Sequence, residues 1–183
     1  MKTIFTIGHS TRTTREFIKI LKSFDIEVLV DVRHYPGSRY CPQFGKGRLK
    51  NNLKRNGIEY VHLLSLGGRR KVDKESHLNE GWRSLQFRGY ADYMQTKEFR
   101  EGLKELMKIA KTKNAAIMCS EAVPWRCHRS MIGDALLTFK FEVIDIYNEK
   151  NARPHSLTSF AKVKGHKVFY PSINLLILLN LIF

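Results

Sequence analysis

Ala115-Ala116-Ile117-Met118-Cys119-Ser120-Glu121-Ala122-Val123-Pro124-Trp125-Arg126-Cys127-His128-Arg129 opens as a buried strand and closes as the start of a helix. The run Ala115 to Met118 is apolar without alternation, as expected of a strand covered on both faces. Past the loop, Met131, Ile132, Ala135 and Leu136 fall on one helical face. Strand, polar loop and helix start is the order in which an α/β protein places chemistry. Strand ends in a parallel sheet present reactive groups to a crevice, and a helix N-terminus attracts anions. This loop carries two of the three cysteines, a carboxylate, a histidine and two arginines.

The same alternation extends outward. Thr3 to Ile7 reads as a first strand ending at Gly8-His9-Ser10, and Thr13-x-x-Glu16 is a capping box that starts a helix with Phe17, Ile18, Leu21 and Phe24 inside. Glu27 to Val32 is a second strand that ends at Asp31-Val32-Arg33. The segment from His34 to Gly45, with Pro36, Gly37, Pro42 and Gly45, is a long irregular loop. Lys46 to Arg55 forms a basic helix stopped by Asn56-Gly57, and Ile58 to Leu63 is a third strand. Leu66-Gly67-Gly68-Arg69-Arg70 opens a polar loop to about Phe87, anchored by Trp82. A helix starts near Tyr90, and the next buries Phe99, Leu103, Leu106, Met107 and Ala110. Ala115 to Cys119 is the fourth strand and Glu142 to Tyr147 the fifth. A C-terminal extension begins at Pro154-His155-Ser156-Leu157, with a strand at Lys167 to Tyr170.

These elements predict an α/β fold: an open, mostly parallel, Rossmann-like sheet of about five strands with helices on both faces, in three layers. One domain is expected over residues 1–171, followed by an apolar tail, 172–183. That tail packs on the body, pairs with a neighbour to make an oligomer, or is poorly ordered.

Composition narrows the partners. A chain of 183 residues that is 43% hydrophobic can bury a real core, and no stretch approaches the ~20 apolar residues that span a bilayer. Met1-Lys2-Thr3-Ile4-Phe5-Thr6-Ile7 is too short for a signal peptide, so a cytoplasmic location is expected, with no membrane partner. An odd cysteine count argues against a disulfide framework. The net charge is +15, and no acidic residue occurs between Val32 and Ile58. That interval holds Arg33, Arg39, Lys46, Arg48, Lys50, Lys54 and Arg55; Arg69 and Arg70 follow. Such a field attracts phosphate groups on a small molecule or a nucleic acid, although solvated basic faces have the same composition.

Taken in order, several signatures resemble the domain of unknown function 488 family. They are Thr6-Ile7-Gly8-His9-Ser10; Asp31-Val32-Arg33 with Pro36 and Ser38-Arg39; Tyr60-Val61-His62-Leu63 with Leu66-Gly67-Gly68; and Gly89-Tyr90-Ala91-Asp92-Tyr93-Met94. Cys119-x-Glu121, Cys127-His128-Arg129 and His155-x-Leu157-Thr158 complete the set. The resemblance covers about Thr3 to Pro171 and implies a fold and an active site but no assigned reaction. Ser159 stands where relatives are expected to have proline.

In a parallel sheet the C-terminal strand ends share one edge. His9 and Ser10 follow the first strand, Asp31 and Arg33 close the second, His62 closes the third, and Cys119 and Glu121 follow the fourth. Cys119, Glu121, His9 and Asp31 are therefore the candidate catalytic residues. Cys119 is the reactive thiol, activated by Arg126, Arg129 and the helix start, and Glu121 is acid, base or arginine partner. Arg33, Arg39, Arg126, His128, Arg129 and Ser10 are the candidate anion ligands. The basic set Lys46, Arg48, Lys50, Lys54, Arg55, Arg69 and Arg70 is the candidate nucleic-acid face.

The competing readings are packing roles. Cys119 is a small buried strand residue in that case, Asp31 and Arg33 are a mutual pair, and the aromatics Tyr35, Tyr40, Phe44, Tyr90 and Tyr93 anchor loops more often than they stack bases. The spacing Cys119-x6-Arg126 is one residue too long for a phosphatase-type loop. Zinc held by Cys119 with Cys127 and His128 is the minor reading, since adjacent residues at a helix start are expected to diverge, which leaves Cys127 to packing. No cofactor is expected. The leading function is an enzyme acting on a phosphate-bearing nucleotide or nucleic acid. The alternatives are a non-catalytic nucleic-acid-binding module and a zinc or thiol-redox protein.

Overall fold

Alternation along each strand sorts its side chains between two cores. In the computed structural model, which describes residues 2–37 and 39–172, strand β4 (Ala115–Cys119) sends Ala115, Ile117 and Cys119 to one face and Ala116 and Met118 to the other. Strand β2 (Val28–Asp31) does the same, with Val28 and Val30 on the first face and Leu29 on the second. The helices divide accordingly. Phe17, Ile18 and Leu21 of α1 (Thr14–Ser23) and Leu49 and Leu53 of α2 (Lys46–Arg55) cover the second face. Tyr90 of α3 (Leu85–Tyr93), Leu103 and Leu106 of α4 (Lys97–Thr112) and Met131, Ile132 and Leu136 of α5 (Arg129–Thr138) cover the first. This is the expected three-layer arrangement, and the predicted capping box at Thr13 and Glu16 is formed.

With β1 (Thr3–Gly8), β3 (Glu59–His62), β5 (Glu142–Asn148) and β6 (Asn151–Pro154), the sheet has six strands in the order β3-β2-β4-β1-β5-β6. The first five are parallel and β6 is antiparallel to β5. The sixth strand exceeds the expected five, because Asn151-Ala152-Arg153-Pro154 is a polar edge strand without an apolar signature. The expected strand near Lys167 exists, but it pairs as β8 (Lys167–Phe169) with β7 (Lys162–Lys164) in a separate hairpin. The helix placed near Tyr90 starts earlier, at Leu85. The tail beyond residue 172, and any oligomer formed through it, lie outside the described residues, as does Ser38. No helix among the described residues is long and apolar enough to cross a membrane.

This strand order dictates where a site forms. From β1 the chain passes through α1 on one face to β2; from β4 it passes through α5 on the other face to β5. The two helices leave neighbouring strands in opposite directions, and the gap between their starts is the topological switch point where ligands of such sheets bind.

Candidate active site at the sheet switch point

The chain passes the end of β1 against the loop after β4 almost without clearance. His9 N–H donates to the Cys119 carbonyl (3.0 Å) and Ser10 N–H to the Ser120 carbonyl (2.9 Å). Gly8 faces the loop so closely that a Cβ there would lie 1.8 Å from the Glu121 carbonyl oxygen. Glycine is thus required by proximity. Arg129 secures the loop from beneath: its buried guanidinium donates to the carbonyls of Glu121 (2.6 Å) and Ala122 (3.0 Å).

Above this floor opens a cleft of about 400 Å³. Its walls include His9, Arg33, Cys119, Glu121, Arg126, Cys127 and His128, with Arg69 and Gly68 from the loop after β3. Six of the ten residues expected as catalytic or anion-binding thus reach one cavity: His9, Arg33, Cys119, Glu121, Arg126 and His128. The other four do not line it. Arg129 is occupied under the loop. Asp31 is fully buried behind Arg33, and its carboxylate accepts from the Arg33 Nε (2.9 Å) and Nη2 (2.6 Å) and from the Tyr60 hydroxyl (2.7 Å). Asp31 therefore positions the arginine and has no free oxygen edge toward the cleft. Ser10, at φ 48°, sits in the turn after β1. Arg39 is exposed on the loop after β2, away from the lining.

The basic residues separate in the same way. Lys46, Arg48, Lys50, Lys54 and Arg55 form the solvent face of α2. Arg70 is structural, donating to the Gly67 (3.0 Å) and Leu64 (3.1 Å) carbonyls and lying 3.6 Å over the Tyr93 ring. Arg69 and Arg126 are exposed at the cleft. Arg69 has a ring contact with Tyr35 at 5.5 Å, and Arg126 has no side-chain hydrogen bond or ion pair among the described residues.

Hydrogen bonds fix the tautomers of two of the cleft histidines, His9 and His128. His9 Nδ1 lies 2.8 Å from the Ser10 carbonyl and so carries a proton there, leaving Nε2 to accept from the Arg33 Nη1 at 3.3 Å. Burial, with the Arg33 charge adding to it, pushes the His9 pKa below its ordinary value, so the ring is neutral. His128 Nε2 donates to the Val32 carbonyl at 3.0 Å, which turns Nδ1 toward the thiols. The Cys119 Sγ is 4.0 Å and the Cys127 Sγ 3.8 Å from that nitrogen. Hydrogen bonding from Cys127 holds the Cys119 thiol well below the ordinary range against its burial, with His128 and Arg129 adding to the effect. Burial and the neighbouring sulfur push Cys127 up.

The expected divergence of Cys127 and His128 is therefore corrected. The 3-10 turn Pro124–Arg126 brings the chain into α5 with Cys127 in an extended conformation at φ −140° and His128 already helical at φ −58°. That change of backbone returns both side chains to Cys119. His34 and Ser120 also line the cleft, from loops whose path no periodicity specifies, and Gln86 and Phe87 line it from the first turn of α3, where the sequence suggested the end of a loop.

One motif turns out to serve the scaffold. His155 lies between two carboxylates, Nδ1 2.9 Å from Asp145 and Nε2 3.1 Å from Asp134. Asp134 also accepts from the Thr158 hydroxyl (2.7 Å) and the Tyr170 hydroxyl (2.8 Å). The two carboxylates outweigh burial and raise His155 to about 9, so it is an imidazolium that ties the C-terminal segment to α5 and β5.

No curated protein and no solved structure matches the chain significantly. A family model described as domain of unknown function DUF488 matches residues 13–136, a span that includes the arginine of β2's end and the whole of the β4–α5 loop. By that match over more than half its length, joined to the ordered motifs at the strand ends, the chain belongs to the DUF488 family.

Proposed function

We propose that this protein is an enzyme that acts on a phosphate-bearing substrate, a nucleotide or a nucleic-acid end, in the cleft at the switch point. The observation that carries this reading is the meeting, in one cavity, of a sulfur and imidazole cluster on the floor with Arg33, Arg69 and Arg126 on the walls. A purely structural cysteine needs no such ring of cations, and a surface that only tracks phosphates needs no buried thiol cluster beneath it. In this reading Arg69 and Arg126, free of protein acceptors among the described residues, bind the phosphate. Arg33, held rigid by Asp31, presents an oriented charge, and Glu121 at the mouth is the acid or base. The reacting atoms sit over Cys119. A cytoplasmic nucleotide or nucleic acid fits the composition.

The test is a thermal-shift and turnover screen with inorganic phosphate, nucleoside mono- and triphosphates and short oligonucleotides. Arg69→Ala with Arg126→Ala is expected to abolish the shift, and Glu121→Gln to abolish turnover while the shift remains. The reading is overturned if no phosphate compound shifts the protein, or if the shift survives loss of both arginines. Binding that depends on Lys50, Lys54 and Arg55 but not on Arg126 would instead identify a non-catalytic nucleic-acid module.

A further inference from the structure

Two buried thiols and one imidazole nitrogen converge on a single point. The ligand-capable atoms of Cys119, Cys127 and His128 all lie within 4.8 Å of one another. A nucleophilic cysteine needs one basic partner, so the second thiol, 3.8 Å from the same His128 Nδ1, has no role in that scheme. A shared metal ion gives all three a role. The geometry points to a zinc site made by Cys119 Sγ, Cys127 Sγ and His128 Nδ1, with its fourth position open to the cleft. This rests on the proposed reading of the cleft as a reactive site and adds the cofactor to it.

Three observations support the site independently of its residue types. First, the His128 Nε2–H donates to the Val32 carbonyl at 3.0 Å. This is the outer contact that fixes a ligating histidine's tautomer and leaves the other nitrogen's lone pair for a metal. Second, the distances are close to those of a bound site. With zinc–sulfur bonds near 2.3 Å and a zinc–nitrogen bond near 2.0 Å, tetrahedral ligand atoms are about 3.5 Å apart. The observed nitrogen–sulfur separations are 4.0 and 3.8 Å, so side-chain adjustments of about half an ångström close them. Third, Gly68 lies against the His128 ring, where a Cβ would come within 2.8 Å of Nδ1; the missing side chain leaves that nitrogen uncovered.

Thiolates with imidazole favour zinc over the hard cations, which take oxygen ligands. Binding is balanced in protons: both thiols release theirs to solvent, and two thiolates with a neutral imidazole bring the dication to zero net charge. Three protein ligands and an open position is the pattern of catalytic zinc; closed structural sites have four. Here that position faces the arginines, where water or a substrate oxygen can enter.

The experiment is elemental analysis of the purified full chain, followed by titration of the chelator-stripped protein with zinc alone and with cadmium as a spectroscopic probe. One zinc per chain is expected, with a cadmium–thiolate absorption that falls by half in Cys127→Ser. Affinity should drop in Cys119→Ser, Cys127→Ser and His128→Ala by more than the roughly 10–100-fold that losing an outer contact costs. Cys41→Ser, whose sulfur belongs to the core on the other face of the sheet, keeps full occupancy and serves as the control for folding. A metal-free protein that takes up zinc no better than the Cys119→Ser/Cys127→Ser variant overturns the proposal, as does a Cys119–Cys127 disulfide in the freshly purified chain. Turnover of a phosphate compound by stripped protein removes the zinc and leaves the enzyme reading intact. Tight zinc binding with no response to any phosphate compound does the reverse.

Discussion

At the residue scale, the Asp31–Arg33 pair is the support on which the cleft's geometry depends. Both side chains are almost wholly buried, and four hydrogen bonds converge on the carboxylate, two of them from the guanidinium. Asp31→Asn removes the charge but keeps the shape, so the guanidinium remains buried without its counter-ion. That kind of loss costs about 3–5 kcal/mol. An unfolding free energy lowered by that amount is expected from urea denaturation, and an unchanged value would return the pair to the surface-bridge class. Gly8→Ala is also expected to be severe, because the added methyl meets the Glu121 carbonyl and not a side chain that can rotate away. Overpacking of about 1–3 kcal/mol is the general scale for such a change. The expected signature is loss of phosphate binding together with loss of stability, read by thermal melting with and without ligand. Motif residues at the strand ends were legible from sequence because parallel topology alone gathers them. The cleft-side role of Cys127 was not, since it depends on one backbone turn at residues 124–126 that composition does not encode.

At the element scale, α5 is held at its start and at its middle by polar networks: Arg129 under the β4 loop and Asp134 with His155 behind it. The His155 network gives stability a definite pH dependence. Its folded pKa, about 9, lies above the ordinary 6.5, so the folded state binds the proton more tightly than the unfolded chain. The contribution is complete below about pH 6.5 and is lost as pH rises through about 9, with a ceiling near 3 kcal/mol at 1.36 kcal/mol per unit. Denaturation midpoints should therefore fall between pH 6.5 and 9.5. His155→Gln should be less stable at pH 6 and show a flatter profile; a profile as steep as that of the parent would exclude His155 as the source. The elements themselves were read from sequence with uneven success. Lys46–Arg55 was legible to the residue because Leu49 and Leu53 mark one face and Asn56-Gly57 a stop. Ala115–Cys119 was equally clear as a continuous buried run. β6 and β7 were not, because edge strands with one or no buried face have polar compositions that resemble loops.

At the scale of the whole molecule, charge and strand order set the remaining expectations. With a net charge of +15 and the α2 cations all facing solvent, any long nucleic acid should bind with a steep salt dependence. Lys50→Ala, Lys54→Ala and Arg55→Ala together should reduce the log–log slope by up to about 2–3, and leave mononucleotide binding in the cleft untouched. A titration series in potassium chloride distinguishes the two surfaces. The segment matched by the family model, 13–136, omits β1 and β5, leaving β4 with an unpaired side in the middle of the sheet. A fragment of that span should show no cooperative melting transition, whereas residues 2–172 should melt as one unit. The position of β1 also has a consequence in time. It is the earliest strand in the chain, yet its hydrogen-bonding partners are residues 115–119 on one side and 142–146 on the other. During synthesis it must wait, unpaired and apolar, while more than a hundred residues are added at about 5–20 per second. For those seconds Ile4, Phe5 and Ile7 are an unpaired apolar segment, open to misplaced contacts until the last partner strand emerges.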